Sequence, residues 1–249
     1  DSCKVPAGKA LAVDREALSI QISDEILNNP HIQLVEKRIE GLDDSFLDGF
    51  DKIIVAAGPM ASENLSNDIA RHTGGENCYF YDAIAPIVWT QSLDMSIVFR
   101  ASRYGQDNMD EEGDYLNCPM NRDEYMNFHE ALLAGKTMAA HDFEKEIHFE
   151  GCMPIEALAA RGPKTLSFGP LKPVGLVDPR TGHRPWAVIQ LRTENRNGDA
   201  CNLVGCQTKL LQAEQKRIFS LVPGLAHVEF MRYGSMHRNT YINAPKVLN

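Results

Sequence analysis

Lys52-Ile53-Ile54-Val55-Ala56-Ala57-Gly58-Pro59 is the stretch on which the reading of the fold turns. The apolar run is too brief for a helix and closes on Gly-Pro, which suits a buried parallel strand. Ser62 is then placed to cap a short helix carrying Leu65 and Ile69, and Gly74-Gly75 ends it. Strand, glycine turn and capped helix form the outline of a nucleotide site. Gly58 matters there because a residue without a Cβ lets the backbone come close to a ligand. Many strand-to-helix turns carry a glycine, so the pattern alone does not decide the matter.

Working toward the start, Asp14 is a plausible cap for a helix with Leu18, Ile22 and Ile26 on one face, ended by Asn28-Asn29-Pro30. Residues 32–35, with Ile39, then read as a strand. Toward the end of the chain the texture changes. Residues 79–89 are aromatic and β-branched, and 96–102 read as a further strand. Asn121 with Glu124 has the spacing of a capping box opening a helix that Gly135 closes. A short helix is expected at 155–161, and strands at 186–191 and 202–205 are joined by a turn at 195–198. Thr208 is expected to cap a last helix with Leu211, Ile218 and Leu221 inward. The second part therefore reads as mixed α/β with an antiparallel sheet.

Composition is that of a globular protein: 249 residues, 43% hydrophobic and 24% charged. No apolar run approaches the roughly 18 residues of a membrane span, and no signal peptide is expected. Val5-Pro6-Ala7-Gly8 reads as the interior of a longer protein, so the chain is expected to be an internal fragment. The six cysteines show no CxxC pair, and the eight histidines form no HExxH, so no metal site is expected. Free thiols in a reducing cytosol suit most of the cysteines.

The net charge of −9 argues mildly against a nucleic-acid partner. Its distribution argues the other way. Residues 161–196 hold seven basic residues, among them Arg161, Arg180 and Arg192, against Asp178 and Glu194. A solvated face explains such a run as readily as a binding face does.

Cys152, in Gly151-Cys152-Met153-Pro154, stands just before the expected short helix. Unpaired amides at a helix start favour a thiolate, the nucleophilic form; a small residue in a tight turn is the competing reading. Cys118, before Pro119, reads as buried. Met236-His237-Arg238-Asn239 brings together a ring, a cation and an amide after Gly234, which suits a planar anionic heterocycle or simply an exposed polar turn. Asp178-Pro179-Arg180-Thr181-Gly182 is a turn by its Pro and Gly, with Arg180 available to a phosphate or RNA.

Several long words of the sequence together resemble the folate- and FAD-dependent tRNA uracil-5-methyltransferases. They include 80–88, Asp114-Tyr115-Leu116-Asn117-Cys118-Pro119-Met120, Phe149-Glu150-Gly151-Cys152-Met153-Pro154-Ile155-Glu156, Lys172-Pro173-Val174-Gly175-Leu176, 178–182 and 232–240. The resemblance implies a partial FAD-binding Rossmann-like domain with an inserted mixed α/β domain. The expected division is FAD-domain residues 1–73, a substrate- and RNA-binding insertion at 74–229, and a return to the FAD domain at 230–249.

The implied activity is transfer of a one-carbon unit from methylenetetrahydrofolate to carbon 5 of a uridine in tRNA. FAD, reduced by NAD(P)H, supplies the electrons, and the setting is cytoplasmic. Cys152 stands where the family has one of two catalytic cysteines, and its share of the chemistry is left open. Gly58 and Pro59 are expected near FAD, His237, Arg238 and Asn239 near folate and flavin, and Arg161, Arg180 and Arg192 against tRNA. The same words suit a ribosomal RNA substrate or a non-catalytic tRNA-binding relative. The sequence departs from the family in lacking the opening GxGxxG, the second cysteine and the closing flavin segment. The fragment alone is therefore expected to bind FAD poorly and to be inactive.

Overall fold

The computed structural model describes residues 2–5, 11–74, 78–103, 113–138 and 153–241, with the backbone alone at 78–81, 238 and 240. The architecture is mixed α/β. Its centre is a six-stranded antiparallel sheet in the order β5-β6-β7-β8-β4-β9. The strands are β4 Ile87–Trp89, β5 Phe99–Arg100, β6 Tyr115–Met120, β7 Ala187–Thr193, β8 Ala200–Val204 and β9 Phe230–Arg232.

Local chemistry explains the sheet. β7 and β8 form the expected hairpin, turned at 195–198, where Gly198 takes φ +70°. Pro119 sits inside β6, yet β5 pairs β6 only at Asn117 and Leu116. Pro119 is thus beyond the end of β5, and its missing N–H costs the ladder nothing. Asn117 is fully buried and meets its bonding needs within the sheet. Its amide nitrogen donates to the carbonyls of Ala101 at 2.9 Å and Tyr115 at 3.0 Å, and its oxygen accepts from Gln190 at 3.0 Å.

Two helices close one face of this sheet: α3 Arg122–Ala134 and α6 Gln212–Phe219. The capping box of α3 forms as expected, Asn121 Oδ1 accepting from Glu124 N and Glu124 Oε2 accepting from Asn121 N. The core lies between the helices and the sheet, with Tyr125, Phe128, Leu132, Ile189, Ile218 and Phe219 buried. The rings of Phe128 and Phe219 meet at 6.0 Å between centroids. Thr208 does not cap α6. Its hydroxyl donates to Glu156 instead, and Leu211, 42% exposed, stands at the helix start without a side-chain cap bond.

The earlier part of the chain is sparser. β1 Lys4–Val5 pairs β2 Ala12–Val13, and α1 Arg15–Leu27 starts at Asp14, whose carboxylate accepts from Ala17 N. α2 Glu63–Thr73 starts at Ser62 and ends at Gly74 with φ +60°, as expected. The inward face expected for α1 is not buried, since no residue of that helix is. The strands expected at 32–35 and 52–57 are not in a ladder. Ile54 is 90% exposed, and a parallel strand exists only through bonds to neighbours, which no described strand supplies here. β3 Cys78–Ile84 and β10 Ser235–Tyr241 form a separate antiparallel pair over seven residues each.

Candidate functional site

A cavity of about 910 Å³ lies among the described residues. It lies between the end of β6, the start of α3, the end of the short helix α5 Thr165–Phe168 and the loop that enters β7. That loop is fastened at its β7 end, where Trp186 N–H donates to Met120 O at 2.9 Å and Val188 N–H to Leu171 O at 2.9 Å. Farther out it folds into the expected turn. Asp178 N–H donates to His183 O at 2.9 Å, and Gly182, at φ +71°, donates to Asp178 O at 2.8 Å.

Four cations reach the cavity wall, Arg122, Lys172, Arg180 and Arg184, against the carboxylates of Glu124 and Asp178. Both carboxylates are engaged. Glu124 completes the capping box. Asp178 is buried and takes the guanidinium of Arg180 side-on, with Nε 3.1 Å from Oδ1 and Nη2 2.7 Å from Oδ2. That guanidinium holds the Asp178 carboxyl below the usual carboxylate range. Two aromatic rings complete the wall: Phe168, 76% exposed, and Trp186, with the Arg122 guanidinium 5.8 Å from its ring centroid.

A second cluster surrounds Glu156, in α4 Ile155–Ala159. Ile155 N–H donates to Gln207 O at 2.7 Å, and the buried Glu156 carboxylate accepts from Thr208 Oγ1 at 2.9 Å and Lys209 N at 2.8 Å. Burial raises its pKa, and these hydrogen bonds work in the opposite sense. Three bonds thus tie the segment that follows Cys152 to the strand-to-helix connection after β8, which is itself braced by Leu210 N–H donating to Thr208 Oγ1 at 3.1 Å.

The expected site residues are dispersed. Cys152 lies outside the described residues. α4 is only five residues long, so the thiolate argument from a helix start has little dipole behind it. Gly58 and Pro59 lie on an exposed stretch; Gly58 takes φ +75° and has open space where a Cβ would stand. His237, Arg238 and Asn239 are in the strand β10, not in a polar turn. His237 Nε2 is 3.1 Å from Ser235 Oγ, and Asn239 is buried.

Arg180 lines the cavity, whereas Arg161 and Arg192 do not. Arg192 faces Glu194 at 3.7 Å, a carboxylate it shares with Arg15. Phe168, Trp186 and Arg122 share the cavity wall with Arg180, a grouping that nothing in the basic run signals. The signal for Phe168 was an aromatic residue directly before Gly169-Pro170, a place where chain reversal tends to leave a side chain outside.

Cys118 is buried as expected. Burial pushes its thiol well above the ordinary range, with the neighbouring thiols of Cys206 and Cys201 adding to the effect. Among the described residues no three His, Cys, Asp or Glu side chains gather to hold a metal, and no helix is long and apolar enough to cross a membrane.

Comparison with known proteins gives consistent results. The chain is 61% identical over 248 residues to the "Methylenetetrahydrofolate--tRNA-(uracil-5-)-methyltransferase TrmFO" of Nitratidesulfovibrio vulgaris, covering 100% of this chain and 52% of that protein. It is 59% identical to the protein of the same name from Lawsonia intracellularis, covering 100% of this chain and 55% of the relative. The chain thus spans about half the length of the curated relatives it matches. Among solved structures, Aquifex aeolicus GidA aligns with a TM-score of 0.49 at 16% identity over 73% of this chain and 27% of that one. The family model for glucose inhibited division protein A matches residues 1–249, and the chain belongs to that family, GIDA.

Proposed function

We propose that the protein to which this chain belongs transfers a one-carbon unit from methylenetetrahydrofolate to carbon 5 of a uridine in tRNA. The observation that carries the reading is 61% identity over 248 residues to a relative named for that reaction. Residues 1–73 and 230–249 belong with the FAD domain in this reading, and 74–229 form the insertion. Support for the insertion comes from the six-stranded sheet, whose first five strands in chain order fall between Ile87 and Val204.

The chemistry explains the residues. Carbon 5 of uracil is a weak nucleophile until a thiolate adds to carbon 6 and leaves electron density on carbon 5. Cys152 is the thiol proposed for this site, acting directly on the base or in removal of the carbon-5 proton. Glu156 and its bonds to Thr208 and Lys209 hold the segment that follows it. FAD, approached by Gly58 and Pro59 and kept reduced by NAD(P)H, supplies the electrons that turn the one-carbon unit into a methyl group. His237, Arg238 and Asn239 border the folate, and Arg161, Arg180 and Arg192 meet the tRNA. The setting is the cytoplasm.

The test uses the full-length gene product, methylenetetrahydrofolate, NADPH and a uridine-containing tRNA transcript. Methyluridine is expected with the unsubstituted protein and absent with Cys152→Ala. Undiminished methylation by Cys152→Ala sinks the assignment of the thiol, and no methylation by the unsubstituted protein sinks the reading.

A further inference from the structure

We propose that the cavity walled by Phe168, Trp186, Arg122 and Arg184 is a subsite for one unpaired nucleotide of the RNA, holding a base against the rings and its phosphate against the guanidinium groups. The proposal rests on the reading of the protein as an RNA-modifying enzyme and adds where the strand is gripped.

Three observations carry it. The first is size: about 910 Å³ lies at the upper end of the roughly 300–1000 Å³ usual for small-ligand pockets. The second is charge. The 249-residue chain carries −9, yet this wall has four Lys or Arg side chains against two carboxylates. Those carboxylates are committed, Glu124 to its capping box and Asp178 to Arg180. Among the described residues Arg122 and Arg184 have no carboxylate at ion-pairing distance. Two guanidinium groups are thus left facing a largely apolar hollow, a composition that suits an anion with a flat apolar part.

The third observation is the pair of rings. Phe168, 76% exposed, lines the cavity, and Trp186, 40% exposed, lies against the Arg122 guanidinium. Unstacked bases of single-stranded RNA seek such surfaces, and arginine provides both a stacking plane and a phosphate contact. A purely apolar occupant would leave the guanidinium groups desolvated and unpaired. A free phosphate would make no use of the rings.

The test is binding by the full-length protein, with intactness checked by thermal melting. The probes are the tRNA transcript, a short oligouridylate and uridine monophosphate. Phe168→Ala is expected to weaken the transcript and the oligonucleotide about tenfold, the loss of one stacked base, and Phe168→Trp to restore it. Arg184→Ala is expected to reduce the slope of log affinity against log salt by about one. Unchanged affinity in Phe168→Ala together with an unchanged salt slope in Arg184→Ala overturns the proposal. Uridine monophosphate binding as tightly as the oligonucleotide overturns the RNA assignment in favour of a free nucleotide. Loss of methylation in the unsubstituted protein is a separate outcome, and it marks failure of the underlying reading instead.

Discussion

Gln215 and Gly234 clasp one another through both edges of a side-chain amide. Gly234 N–H donates to Gln215 Oε1 at 2.8 Å, and Gln215 Nε2 donates to Gly234 O at 2.9 Å. Nε2 also donates to Leu210 O at 2.7 Å. A fully buried side chain on α6 thus substitutes for a missing strand neighbour and fixes the chain where β9 gives way to β10, the strand bearing His237 and Asn239. The glycine is required by space. A Cβ there would stand 2.6 Å from Thr208 Cγ2 and 2.7 Å from the carbonyl oxygen of Ile84.

Replacement of Gln215 by Leu leaves both polar groups of Gly234 buried without that partner. A loss of roughly 2–6 kcal/mol is expected, at about 1–3 kcal/mol for each unsatisfied group. Urea unfolding measures it; a midpoint unchanged from the parent would show that water or backbone motion satisfies the pair.

The pH dependence at Glu156 has a definite sign. Burial raises its folded pKa above the unfolded value, so the native state holds a proton that the unfolded chain releases. The associated stability is fully present below the unfolded pKa and is lost as pH rises through the folded one. Glu156→Gln has no proton to lose and keeps an acceptor for Lys209 N–H. Its stability relative to the parent should therefore rise as pH climbs from the ordinary glutamate range, about pH 4, through the raised folded pKa. Parallel stability curves for the two proteins would refute this.

Asp178 behaves oppositely. The Arg180 guanidinium holds its carboxyl below the ordinary range, so its contribution is present above the unfolded pKa and is lost as pH falls through the depressed folded one. Arg180→Ala leaves a buried carboxylate that still accepts from the backbone N–H of residue 180. The guanidinium side chain is 41% exposed, so solvent softens the loss, expected at about 1–2 kcal/mol at neutral pH. The difference from the parent should shrink in acid, and a gap that is constant with pH would remove the ion pair as its cause.

Thiol labelling separates the cysteines. Burial pushes the thiols of Cys118, Cys201 and Cys206 upward, and a protonated buried thiol is a poor nucleophile. Iodoacetamide applied to the native full-length protein at about pH 8 should spare these three until the chain is unfolded, and Cys152, if it is the proposed nucleophile, should label first. Peptide mass spectrometry reads the order, and labelling of Cys118 ahead of Cys152 would count against the assignment.

The parts of the fold that were legible in the sequence are those whose bonds close within a few residues. Asn121 and Glu124 announce the start of α3 because each supplies the other's missing partner three residues away. The 195–198 turn and Gly198 announce the β7–β8 hairpin in the same way. The run from Lys52 to Ala57 misled because hydrophobicity marks what a segment would bury, while a parallel strand also needs bonds from elsewhere. Thr208 misled for a related reason. A hydroxyl next to a helix looks like a cap until a buried carboxylate 52 positions away claims it.

The family was determined by the sequence alone, because its long ordered words survive without any knowledge of contacts. So were the mixed α/β class and the helix and hairpin limits set by local bonding. The tertiary structure decided which side chains share a site. Arg122, Phe168, Arg184 and Trp186 are spread over 65 residue numbers and meet only where β6, α5 and the entry to β7 converge. Arg161, Arg180 and Arg192, read as one basic run, turn out to have different surroundings, with Arg180 held by a buried carboxylate and Arg192 facing Glu194. Sequence spacing fixes chemistry along the chain, but the pairing of charges and rings depends on distances that only packing sets.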